Sequence, residues 1–214
     1  MPARPSVRPT HRRRRPTRTI KRKPATVLER LTAEESTKVL ATLLSRHQAL
    51  RAEAEQIATE LVSMPAVDQV AHDVVGSLTD IDCDAVSSRA ADQRWGQVAP
   101  TEAAWELLQQ ALGDVIRDMQ RRMDLGLVDA AEAICRGIVV GLYRAQGSGA
   151  DGALGWAPDF PSKQASRAVA ELLQACPADR KRATRERLLA ALSDEAPDWR
   201  EMLVRAAAPE RPAR

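Results

Sequence analysis

The residues whose type and spacing are most suggestive of chemistry are cations. The stretch "THRRRRPTRTIKRKP", Thr10 to Pro24, holds Arg12, Arg13, Arg14, Arg15, Arg18, Lys21, Arg22 and Lys23. With Arg4 and Arg8, residues 1–24 carry ten Lys or Arg and no Asp or Glu. Such a segment neutralises phosphates and releases their counterions, which gives affinity without sequence readout. Five prolines keep it extended, and with almost no aromatic residue it lacks rings on which to stack bases. Residues 1–24 are therefore expected to contact nucleic acid or another polyanion without sequence specificity. The remaining chain holds 22 basic and 29 acidic residues, a formal charge of −7, so the basic pI belongs to the arm.

Other motifs fail on context. "GSGADG", Gly147 to Gly152, matches GxGxxG, but it follows a helical pattern rather than a strand, so it reads as a connection. "DIDCDA", Asp80 to Ala85, has the alternating acids of a calcium loop. The required Gly and Glu at its sixth and twelfth positions are Ala85 and Ala91, which leaves a helix cap at Asp82 or Asp84. His11, His47 and His72 are scattered, and Cys83, Cys135 and Cys176 lack zinc-site spacing. No metal or cofactor is expected. Glu102, Glu106 and Glu132 are the carboxylates to watch for an inter-helix cleft. Trp156 and Phe160, in "GWAPDFP", are either anchors for a protein partner or plugs of the chain's own core. Trp95, in "RWGQVAP", poses the same choice.

These residues must be positioned by helices. Ala and Leu abound, while Tyr and Phe occur once each, which disfavours pleated sheet. Thr32 followed by Glu35 is a capping box. Behind it, Val39, Leu40, Leu43 and Leu44 fall on one helical face. A second helix is expected over Ala49 to Val62, with Leu50, Ala54, Ile57 and Leu61 in register. A third follows Pro65, with Val67, Val70, Ala71, Val74 and Leu78 as its stripe, and a short fourth follows Asp82. Thr101 opens the longest, with Trp105, Leu108, Leu112, Val115 and Met119 on one seam. Gly126 stops it. Leu127 to Ala145 is apolar over most of its circumference and so central. Its "GIVVG" has the small-residue spacing of close helix approach. Three more amphipathic segments cover about 162–176, 179–193 and 198–207.

The expected fold is all-α: one multi-helix bundle, or a short stack of antiparallel helix pairs, of eight to nine helices. Residues 1–27 form a disordered basic arm, 28–207 the helical domain and 208–214 a tail. No apolar run reaches the ~20 residues of a membrane span, and the odd, scattered cysteines fit a reducing cytoplasm. The favoured reading is a non-enzymatic interaction or adaptor protein with a protein partner for its helical body. An enzyme with an inter-helix site is the alternative.

Overall fold

Thr32 begins the first helix as its capping box requires. The computed structural model describes residues 27–91, 98–147 and 152–208. In α1 (Ala33–Arg46) the Glu35 amide donates to Thr32 Oγ1 at 3.3 Å, and the Thr32 amide donates to Glu35 Oε2 at 2.9 Å. These bonds from the Thr32 backbone and hydroxyl hold the Glu35 carboxyl below its ordinary pKa. A 3₁₀ turn, Leu28–Arg30, precedes α1, and α2 (Leu50–Ser63) follows it. The chain divides into compact units at 1–53 and 54–214, the boundary falling within α2. Neither α1 nor α2 buries a residue. Their apolar stripes form at the expected spacing, yet Val39, Leu40, Leu43, Leu50, Ile57 and Leu61 are exposed.

The core lies in the second unit. In α3 (Val67–Thr79), Ala71, Val74 and Leu78 are buried. Asp82 then accepts the Ala85 amide at 2.7 Å and opens α4 (Cys83–Ala91). The longest helix, α5 (Pro100–Asp124), starts with its proline in the first turn, where the missing N–H costs nothing. At its end Gly126 has φ 74°. The Gly126 amide bonds Met123 O and the Leu127 amide bonds Arg122 O, each at 2.9 Å. This is a Schellman ending, which needs a residue tolerant of positive φ.

From there α6 (Val128–Gln146) runs through the centre, packed against α3, α5, α8 (Phe160–Ala175) and α9 (Ala178–Glu195). Gly137 and Gly141 let it meet the α3 backbone. A Cβ at Gly137 would lie 2.6 Å from Val70 Cβ and 2.9 Å from Val67 O. One at Gly141 would lie 2.7 Å from Val74 Cβ and 2.8 Å from Ala71 O. Close packing of a buried helix is thus what the "GIVVG" spacing serves. Leu108, Leu112, Ile134, Ile138 and Leu142 are buried where α5 meets α6, while Trp105 is only partly buried at the edge of that seam.

A four-residue helix, α7 (Ala153–Trp156), lies in what the sequence presents as a connection. It forms because Ala153 and Leu154 bury themselves and the Ala153 amide bonds Ile81 O at 3.0 Å, beside an isolated bridge between Asp82 and Gly152. A 3₁₀ turn, Pro197–Trp199, leads into α10 (Arg200–Ala206). The fold is all-α, with ten α-helices and no strand among the described residues.

Candidate functional site

The arm cations Arg12 to Lys23 and Trp95 lie outside the described residues. Of the two aromatic anchors, Phe160 is 0% exposed, with its ring edge-on to Trp105 at a centroid distance of 4.9 Å. It plugs the core and offers no surface to a partner in this conformation. Trp156, on α7, remains 47% exposed. Lys163 Nζ stands 5.4 Å from the centre of the Trp105 ring, within cation–π range. Asp159 occupies the N-cap position of α8 but makes no side-chain cap bond, and its carboxylate lies 3.6 Å from Lys163 instead.

The three flagged carboxylates do not converge. Glu102 is exposed in the first turn of α5. Glu106 pairs with Arg89 of α4 at 2.5 Å, and Glu132 pairs with Arg187 of α9 at 2.6 Å. Glu132 belongs to a network that ties α9 to α6. Asp129 accepts from Arg180 at 2.7 Å and from Arg187 at 2.9 Å, while Arg136 grips Glu195 with bonds of 2.7 and 2.5 Å. The Arg180 hydrogen bond, helped by the charges of Arg180 and Arg187, holds the Asp129 carboxyl below its ordinary pKa against a smaller effect of burial. Hydrogen bonding to Glu195 raises the Arg136 guanidinium further. Such fork-shaped pairs orient one helix on another.

Burial, reinforced by Glu132 and Glu171, pushes the Cys135 thiol far above its usual range, so it holds its proton. Among the described residues no group of three or more His, Cys, Asp or Glu is gathered closely enough to hold a metal ion. None of their helices is long and apolar enough to cross a membrane. Comparison with protein-family models, curated proteins and solved structures found no match.

One cavity stands out against the acidic body, and none of the expected site residues among those described lines it. Between α8, α9 and α10 lies a half-open groove of about 700 Å³. Ala170, Leu173, Ala206 and Ala207 give it an apolar lining, while Lys181, Arg182, Arg185 and Arg205 supply four cations. Among the described residues no acid lines it. Ala178, Lys181, Arg182 and Arg185 recur at intervals of three, one and three, which places them on one face of α9. Arg180 and Arg187 turn the other way, toward the acids of α6. Of the four groove cations, only Arg182 has a carboxylate partner among the described residues: Glu186, one turn along α9, in a pair largely open to solvent. Arg205 Nε donates to Glu201 O at 3.3 Å, which satisfies one N–H without neutralising charge. The available signal was the spacing of cations in "ADRKRATRER". Sequence alone could not separate those bound to α6 from those left over.

Proposed function

We propose that this chain is a non-enzymatic interaction protein: a helical body that docks a protein partner, with a basic arm that contacts nucleic acid through its phosphates. The carrying observation is the division of charge, ten cations and no acid in residues 1–24 against a formal −7 in the rest. Attraction to phosphate therefore concentrates in the arm, while the net charge of the body opposes it. The exposed stripe of Val39, Leu40 and Leu43 on α1, and half-exposed Trp156, support a protein partner for the body. The carboxylates flagged for catalysis support it too, since Glu106 and Glu132 are engaged by arginines.

The test compares the full chain with one beginning at Ala25, titrated against duplex DNA of arbitrary sequence. The full chain binds, and the shortened one binds much more weakly. If about half of the ten cations engage, the logarithm of the affinity falls with the logarithm of salt at a slope near −4 to −5. Equal binding by the two chains, or none by either at low salt, overturns the nucleic-acid reading.

A further inference from the structure

We infer that the groove between α8, α9 and α10 is a binding site for a small phosphorylated ligand bearing two or more phosphates, such as a nucleoside diphosphate or triphosphate. The cations that form it owe nothing to the arm. Like charges that share a cavity repel one another, and beyond what solvent screens, acids or a bound anion relieve the cost. On the opposite face of α9 the relief is built in, because Asp129 and Glu132 meet Arg180 and Arg187 at 2.6 to 2.9 Å. On the groove face Lys181 and Arg185 have no ion-pair partner among the described residues. A body of net negative charge has thus gathered four cations around one cavity and supplied no acid to its described lining.

The cavity also suits the size and chemistry of such a ligand. At about 700 Å³ it falls within the range of sites that enclose small molecules. Arginines match phosphate oxygens with paired N–H groups, and lysine adds a compact charge. Lys181, Arg185 and Arg205, the three without a carboxylate partner among the described residues, already exceed what one phosphate dianion neutralises. Ala178, the first residue of the 18-residue α9, lines the same cavity, so the positive end of that helix adds to the field there. Leu173 and the alanines leave room for an apolar portion of the ligand. Among the described residues no aromatic ring lines the groove to stack a succession of bases, which argues against a strand of nucleic acid as the occupant.

Inorganic tripolyphosphate and ATP are the probes, and backbone-amide NMR of the full chain is the readout, because it reports the groove and the arm separately. Both probes should shift the amides of 178–185 and 205–208 along one saturating curve. Replacing Lys181→Gln together with Arg185→Gln should weaken that curve at least about tenfold, since a single charge-assisted hydrogen bond contributes about that much. Arg205→Gln, on another helix, should weaken it as well, with the spectrum elsewhere unchanged as the check on folding. Shifts confined to residues 1–24 overturn the assignment, as does an unchanged affinity in the double variant. A short single-stranded oligonucleotide that outcompetes tripolyphosphate at the groove overturns the small ligand in favour of a strand. Groove binding without any arm binding to DNA would leave this inference standing and remove the proposed function.

Discussion

Helices α1 and α6 are built by opposite means. The first has a complete capping box yet buries none of its 14 residues, although both carry acid in the first turn and arginine in the last. The second has no side-chain cap and buries twelve of 19. Local signals place the ends of a helix, but a helix of about a dozen residues is marginal unless one face is packed. The arrangement of α6 against α3, α5, α8 and α9 therefore holds the second unit together, while α1 carries an exposed apolar stripe.

The largest expected effect lies in the α5–α6 seam. Leu112→Ala should cost about 2–5 kcal/mol in urea unfolding followed by circular dichroism, because Leu112 is fully enclosed. A loss near zero would mean that the seam is not the core. Gly141→Ala tests the close approach of α6 to α3 and should cost about 1–3 kcal/mol through overpacking. The new methyl would strike the α3 backbone at Ala71 O, which a side-chain rotation cannot relieve.

Thr32→Ala removes the capping hydroxyl and should weaken α1 by about 0.5–2 kcal/mol. Hydrogen exchange should show faster opening across Ala33–Arg46, with protection in α6 unchanged. Leu40→Ser should fall within about 0.5 kcal/mol of the parent, since Leu40 is already 52% exposed. A cost matching that of Leu112→Ala would break the comparison, and would mean that the α1 stripe is covered in solution by a partner or a second copy.

A further small effect concerns pH. The carboxyl of Asp129 is lowered in the folded state by Arg180 and Arg187. Its contribution is therefore present above the unfolded carboxylate range and is lost as pH falls through the folded value. The side chain is largely exposed, so solvent screening keeps the contribution below about 1 kcal/mol. Asp129→Asn should flatten the acid limb of the stability curve slightly. A steeper acid limb in that variant would contradict the pairing.

Much of this fold was readable as text. Thr32 and Glu35 announced their mutual bonds because a capping box spans three residues; a cap at Asp82 or Asp84 was legible too, and the structure places it at Asp82. The glycines of "GIVVG" announced a close approach, though not that α3 would supply it. The helix α7 was hidden because its anchor, Ile81 O, lies about seventy residues earlier in the chain. Phe160 and Trp156 looked alike as loop aromatics, and only packing separated the plug from the exposed ring.

By itself the sequence determined the all-α class, most helix ends and the concentration of positive charge in residues 1–24, because each depends on neighbours within a turn or on composition alone. Tertiary structure decided which apolar stripes are buried, since α3 packs against α6 and buries Ala71, Val74 and Leu78, whereas α1, with a similar spacing, buries no residue. It also decided the division of labour on α9. Arg180 and Arg187 find acids at Asp129 and Glu132, more than fifty residues away in the chain. Lys181, Arg182 and Arg185, on the opposite face, meet Arg205 of α10 across a half-open groove. Charge can be counted along a chain, but whether a cation is neutralised depends on what the fold brings within a few ångströms of it.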